Sequence, residues 1–421
     1  MTRATAVIAG CGNRGKDAYG FYALSKPENL KIVAIADPDP RKREAMGIAH
    51  AIPEDRRFSN WEEMVSMGKI ADAAIISTMD RDHVGPAISF MDAGYDLLLE
   101  KPIDSTPEGT MKIVHKTRET GRKVMVAHVL RYSSFFSTLK QLIDSGRIGK
   151  LVAIEHKENI GFFHFAHSYV RGNWRKTSES GPVILTKSCH DLDILHWLAG
   201  NPCTSLSSYG SLTYFKAENQ PDKAADRCLD GCSVEGECPY SAMKIYMSGN
   251  TGWPVSTITS DLTEEGVETA VKRGPYGRCV FSCDNDVADH QVVSMLFGED
   301  ITVNFLLAGF TEEIARTIRV FGTEGEIRGH FEKRELQIMN FGKDKETIIT
   351  HAPVAGSHGG ADFQMMDFLI DMIDETRNTD ILTTPEDSIE SHMMAFAAEE
   401  SRDTLKIIDM DEFRQRHILF H

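Results

Sequence analysis

Two domains of different class are predicted: a doubly wound α/β unit over residues 1–130 and a mostly antiparallel, open-faced α+β sheet domain over 131–421. Three observations carry this. Five short apolar runs alternate with amphipathic stretches through the first part of the chain. A glycine-rich turn directly follows the first run. Beyond Leu151, strand-like runs follow one another with no helix between neighbours.

The apolar runs TAVIAG, LKIVAIAD, DAAIIST, YDLLLEKP and KVMVAHVL show no in–out alternation, so they read as strands covered on both faces and therefore parallel. Parallel neighbours need crossovers, and DHVGPAISFMDAG and TPEGTMKIVHKTRETG supply helical ones. The second opens on Thr106 as N-cap, with Pro107 at the first helical position and Glu108 behind it, and stops at Gly121. In the second domain LVAIEHKEN, HQVVSMLF, ITVNFLLAGF, RTIRVFGTEGEIRGHF and RELQIMNF read as strands, with FGTEGEIRG as a hairpin whose tight turn Gly322 and Gly325 supply. A Cys-rich stretch at about 216–275, with Gly, Pro and Asp, reads as an ordered insertion. ADFQMMDFLIDMIDET and EDSIESHMMAFAAEESRDTLKII return to helical periodicity and are expected to pack back toward the first domain.

A chain of 421 residues that is 41% apolar has material for two real cores. Its formal charge of −16 disfavours nucleic acid and anionic lipid as partners and suits an enzyme of small neutral metabolites. The N-terminal apolar stretch is too short for a secretory core, and no run approaches the roughly eighteen apolar residues of a membrane span. A cytoplasmic location is expected, with the eight cysteines reduced.

Gly10, Gly12 and Gly15 make G-x-G-x-x-G between a strand and a helix, with Asn13 and Arg14 inside it and Asp37 closing the second strand. Gly10 permits the tight turn, Gly12 the approach of a pyrophosphate, and Gly15 close helix packing. Asp37 is placed to accept from ribose hydroxyls, and its charge repels a 2′-phosphate. NAD is therefore the expected cofactor, while Arg14, Arg41 and Lys42 keep NADP possible. The strand LLLEKPID ends in Glu100, Lys101 and Pro102, at the sheet edge where ligands bind in open α/β folds.

Together these residues resemble the Gfo/Idh/MocA family of nicotinamide-dependent sugar and cyclitol oxidoreductases, and the likeness covers most of the chain. ISTMDRDHV carries Ser77, Thr78 and His83 at positions resembling the family's cofactor loop, and AHVLRY, HDLDILHWL and GTEG fit as well. The resemblance implies a Rossmann domain, a Lys101 beside the nicotinamide with an often cis Lys–Pro bond, and a C-terminal sheet that carries substrate contacts and commonly the homo-oligomer interface. One departure stands out. Relatives often carry an Asp four residues before the histidine of LTKSCHDLDILHW, and this chain has Thr186 there, followed by Lys187.

Within that stretch Ser188 and Asp191 form a capping-box-like pair, so a helix is expected from Cys189 to just before Gly200. His190 falls in its first turn, where the helix dipole opposes protonation and favours a neutral imidazole base, and Asp193 on the same face is placed to orient it. His190 and His196 are six apart and on different faces, so no metal is assigned here. His196 and Trp197 read as packing residues. The expected chemistry is oxidation of a secondary alcohol, with His190 as base or relay and Lys101 polarising the developing alkoxide. Lys187 is an alternative base, its pKa lowered by crowding from Lys101. Arg131, Tyr132, His164, His167, His358 and Asp362 are further polar candidates, each read first as structural.

RCLDGCSVEGECPY spaces Cys228, Cys232 and Cys238 as C-x3-C-x5-C, and Cys279 and Cys283 form another C-x3-C. A structural zinc with Cys189 or Cys283 as fourth ligand and a set of reduced, packed thiols are both open readings, the second preferred. Three function classes compete: a dehydrogenase of a sugar, cyclitol or glycoside; a glycoside hydrolase or lyase that oxidises its substrate transiently; and a nucleotide-sensing regulator. Lys101 and His190, which a sensor does not need, favour the first two.

Overall fold

The computed structural model describes residues 3–351, 360–374 and 383–418. Its first sheet holds six parallel strands: β1 (Ala4–Ala9), β2 (Leu30–Ala36), β3 (Arg57–Phe58), β4 (Ala73–Ile76), β5 (Asp96–Leu99) and β6 (Val124–Val126). The order β3-β2-β1-β4-β5-β6 reverses between β1 and β4, so a crevice opens there at the carboxyl ends. Both faces are covered, as the apolar runs require. Ala6 and Ile8 of β1 point to one core with Tyr19, Tyr22 and Met365, and Val7 and Ala9 to another with Phe90 and Ile113. Only the two-residue edge strand β3 was not anticipated, since a pair such as Arg57–Phe58 has no period to read.

The crossover helix Pro107–Thr120 has the expected ends: Thr106 accepts from the Gly109 amide, and Gly121 closes it in the left-handed conformation at φ 62°. The helix Ala361–Ile373 packs Met365, Met366 and Leu369 onto the first domain. The helix Pro385–Thr404, started by a capping box between Thr384 and Asp387, lays its methionine- and alanine-rich face into the second core.

Among the described residues the second sheet holds nine strands: β7 (Leu151–Asn159), β8 (Cys203–Ser211), β9 (His290–Phe297), β10 (Ile301–Ala308), β11 (Ala315–Gly322), β12 (Gly325–His330), β13 (Glu335–Asn340), β14 (Glu346–Ile349) and β15 (Ile408–Asp409). Their order is β14-β13-β12-β11-β7-β10-β9-β8-β15, antiparallel except where β10 runs parallel to β7. Alternation along the strands puts Ile154, Val303, Phe305 and Leu307 into the core under the helix Cys189–Ala199. The other face leaves Val152, Tyr209 and Val292 exposed. Three strands escaped the sequence reading. Serine-rich β8 lacks an apolar period because inward Ser208 bonds polar partners instead, accepting from Gln291 and donating its amide to Ser401 Oγ. β14 shows no buried period, its residues being exposed or half-buried, and β15 spans only a residue pair.

The hairpin between β11 and β12 forms, but not for the expected reason. Gly322 is not left-handed; a Cβ there would stand 2.2 Å from the Ile148 carbonyl oxygen, so close approach, not turn conformation, demands glycine.

Candidate active site

The glycine turn is tight beneath and open above. Gly10 has φ +98° and its Cβ would lie 2.3 Å from the Ser77 carbonyl oxygen, while a Cβ on Gly15 would lie 2.0 Å from that of Gly10. A Cβ on Gly12 would meet nothing within 4 Å. That open side faces the crevice at the switch point, as a dinucleotide's pyrophosphate requires. Ser77 Oγ donates to the Gly10 carbonyl at 2.8 Å, tying the β1 and β4 loops, and Thr78 Oγ1 donates to the Asp82 carbonyl at 2.8 Å within the β4 loop. His83 is buried, its ring nitrogens 2.7 Å from the Pro102 carbonyl oxygen and 3.3 Å from that of Thr78. It braces the cofactor loop against the Lys101 turn.

Two expected cofactor contacts are engaged differently. Asp37 accepts from the Cys11 amide at 2.7 Å and the Asp39 amide at 2.8 Å, so its carboxylate first fixes the glycine turn. Burial and that neighbouring charge push the Cys11 thiol up to about 12, leaving it protonated. Arg14 spans Glu100 at 2.5 Å and Asp362 at 2.7 Å, so its guanidinium is not available to soften the selection against a 2′-phosphate. Glu100 is buried and also accepts from Tyr19. Burial opposes its charge, but Arg14 and Tyr19 outweigh burial and hold its pKa below the ordinary value. Asn13 donates to Asp17 at 3.0 Å at the tip of the turn.

The Lys101–Pro102 bond is cis, and Lys101 Nζ donates to the carbonyl of Thr186 at 2.6 Å. Thr186 thus offers its backbone oxygen to the ammonium. The next residue, Lys187, reaches across to Glu158 on β7 at 3.0 Å. Its pKa is lowered chiefly by burial, with Glu158 opposing; Lys101 is the smallest contributor, so crowding by Lys101 is not the cause. The helix Cys189–Ala199 starts and stops as expected, with Gly200 at φ 68°, but no capping box forms. Asp191 turns instead to His156 at 2.7 Å and Arg316 at 2.8 Å. Burial disfavours its charge, yet Arg316 and His156 hold the carboxyl well below its usual range. Asp193 does not orient His190: both its oxygens are taken by Arg131 at 2.7 Å.

His190 is buried, its ring 5.7 Å from that of His128, which lies 5.6 Å from His392. Burial lowers His128 to about 4 and His392 to about 3, so both imidazoles are neutral. His392 Nε2 accepts from the Ile103 amide at 2.9 Å, which fixes its tautomer and ties the helix Pro385–Thr404 to the Lys101 loop. Asp80, buried and accepting from Trp174 at 2.8 Å, lies on the same rim; burial raises its pKa, with His83 and Lys101 opposing.

Of the remaining candidates, Arg131 pairs with Asp193, Tyr132 bonds Thr383 at 2.9 Å, and Asp362 holds Arg14. His164 packs on Trp253, and burial drives its pKa well down; His167 bonds Tyr246 at 2.9 Å inside the insertion. His358 lies outside the described residues. Glu158, Arg316, Asp80, His128 and His392 were missed by sequence reasoning. A signal existed for Glu158: with His156 it occupies inward positions of β7 in phase with Ile154.

A family model described as an oxidoreductase family with an NAD-binding Rossmann fold matches residues 4–128, and one described as the C-terminal alpha/beta domain of such oxidoreductases matches residues 140–409. The Bacillus subtilis protein YteT, named as an oxidoreductase, is 24% identical over 401 residues, covering 88% of this chain and 91% of its own length. An inositol 2-dehydrogenase from Burkholderia multivorans is 27% identical over 200 residues, 47% of this chain and 55% of the relative. An Agrobacterium radiobacter oxidoreductase solved with NAD+, L-tartaric acid and magnesium shares the fold at a TM-score of 0.71 and 14% identity, covering 98% of this chain and 99% of that one. The Bordetella pertussis WlbA dehydrogenase, solved with NADH and UDP-GlcNAcA, does so at 0.68 and 18%, covering 97% and 98%. No described helix is long and apolar enough to cross a membrane.

Proposed function

The chain belongs to the Gfo/Idh/MocA oxidoreductases and carries their NAD-binding Rossmann domain, and from that premise we propose that it oxidises a secondary hydroxyl of a sugar, cyclitol or glycoside. One observation supports this most: Lys101, just beyond β5, donates to the carbonyl of Thr186, in the segment that carries Lys187 and His190. The inositol dehydrogenases among the relatives, and the sugar nucleotide held by WlbA, support a polyhydroxylated substrate.

Gly10, Gly12 and Gly15 would hold the pyrophosphate, Asp37 would face the adenosine ribose, and bound NAD supplies the hydride acceptor. NADP is disfavoured, since the buried Asp37 carboxylate repels a 2′-phosphate and Arg14 is committed elsewhere. Lys101 would donate to the substrate oxygen and stabilise its developing negative charge, with the Thr186 carbonyl aiming the ammonium. His190 would take the hydroxyl proton. Lys187 is assigned charge placement instead, because Glu158 holds its ammonium.

The test is a panel of sugars, cyclitols and glycosides with NAD, read by NADH absorbance and product mass. Stoichiometric NADH with a product two hydrogens lighter is expected. Bond cleavage without net NADH would move the enzyme to the redox-assisted hydrolases and lyases.

A further inference from the structure

The insertion after β8 brings four cysteines to one small cavity. Cys228, Cys232, Cys238 and Cys279 line a space of about 20 Å³ together with Arg171, room for one water-sized atom. Cys283, which donates to the Cys279 carbonyl at 3.2 Å, is not among its walls, and Cys189 is buried in the main core. The sequence alone offered those two as fourth ligand; the fold supplies Cys279 instead.

Arg171 gives the cavity its meaning. Its side chain is 1% exposed, yet among the described residues no carboxylate pairs with it. Nε donates to the Arg278 carbonyl at 2.7 Å and Nη2 to that of Tyr240 at 2.7 Å, with Cys228 Sγ at 3.9 Å, while Nη1 has no hydrogen-bond partner. Glu235 also borders the cavity, but its carboxylate, which accepts from the Ser241 hydroxyl at 2.5 Å, forms no ion pair with Arg171. A buried cation without an anion is costly, and protonated thiols supply none. Thiolates do. The Cys228 sulfur is already an acceptor, at 3.3 Å from the Ala242 amide. The insertion also needs a staple: its own core has five buried residues, Ala242, Tyr246, Val255, Val267 and Val271.

We propose that Cys228, Cys232, Cys238 and Cys279 form a four-thiolate site for a structural zinc ion, with Arg171 as its counter-cation. Binding exchanges four S–H bonds for four Zn–S bonds and releases four protons; the centre carries two negative charges, one offset by the guanidinium. As arranged, no three His, Cys, Asp or Glu side chains among the described residues are gathered to hold an ion. Loading therefore requires the thiols to turn inward about Cα–Cβ, between staggered positions.

Metal analysis of the full chain is expected to show a single zinc per chain. Cys228→Ser and Cys279→Ser should lose it, and Cys189→Ser and Cys283→Ser should keep it. Because a serine variant that fails to fold also loses metal, the wild type is stripped with a chelator and reloaded with Zn²⁺ or Co²⁺. Tm should fall and recover, and cobalt should show the visible bands of tetrahedral thiolate coordination. Arg171→Met should weaken zinc retention about 10–100-fold. Overturning results are a chain that neither contains nor takes up zinc and whose Tm ignores chelator, an iron–sulfur chromophore in place of zinc, or loss of zinc from Cys283→Ser as complete as from Cys279→Ser. None of these readouts depends on the dehydrogenase assignment.

Discussion

Under the candidate site, Asp191, Arg316, Glu158 and Lys187 alternate in charge along one buried row, with His156 at the Asp191 end. Arg316 is the shared partner, at 2.8 Å from each carboxylate, and cross-strand pairing of β11 with β7 places it opposite Glu158. Removing it leaves two buried carboxylates undercompensated, so Arg316→Met is expected to cost about 3–5 kcal/mol in denaturant unfolding. Lys187→Met should lower kcat/KM without moving the acidic limb of its pH profile; a shifted limb would transfer the base role from His190 to Lys187. Lys101 and His190 stand out in the sequence because they sit in motifs a few residues long. The contacts that fix their surroundings were not. Arg14 meets Asp362 at a separation of 348 residues, and the Ile103 amide meets His392 at 289. No local pattern carries such pairings.

At the scale of elements, apolar period was the reliable signal: both-face burial of β1, β2, β4, β5 and β6 read directly, as did both late helices. It failed where inward positions are polar, as in β8, or where pairing spans two residues, as in β3 and β15. The glycine turn separates two roles that the motif merges. Gly12→Ala adds a methyl in open space, so its Tm should match the wild type while NAD binding weakens at least tenfold by calorimetry. Gly15→Ala drives a methyl to 2.0 Å from the Gly10 carbonyl oxygen, so both Tm and NAD binding should fall. Equal Tm losses in the two variants would contradict this division.

For the molecule as a whole, the buried neutral histidines set an acid limit. His128, His167 and His392 have folded pKa values of about 4, 4 and 3, all depressed chiefly by burial. Between those values and the ordinary 6.5 the unfolded chain binds the protons the folded one refuses. Stability is therefore full above pH 6.5 and lost as pH falls toward 4, by ~1.4 kcal/mol per pH unit for each histidine. His128→Phe should flatten that slope in a Tm–pH series; an unchanged slope would remove His128 from the account. The open face of the second sheet, where Tyr209 and Val292 are cross-strand neighbours, is proposed as the contact with a second copy. Light scattering should then give a mass at least twice 46.9 kDa, reduced by Tyr209→Lys with Val292→Lys.

Lys101 and His190 are proposed to carry out alcohol oxidation beside a cofactor held independently by the glycine turn. With the best substrate from the panel, single-turnover NADH formation is measured in the wild type, Lys101→Ala and His190→Ala, alongside the Kd for NAD. Rates lowered about 10²–10⁴-fold are expected, with NAD affinity changed less than about threefold. Wild-type rates in either variant, or a loss matched by an equal loss of NAD binding, would contradict it.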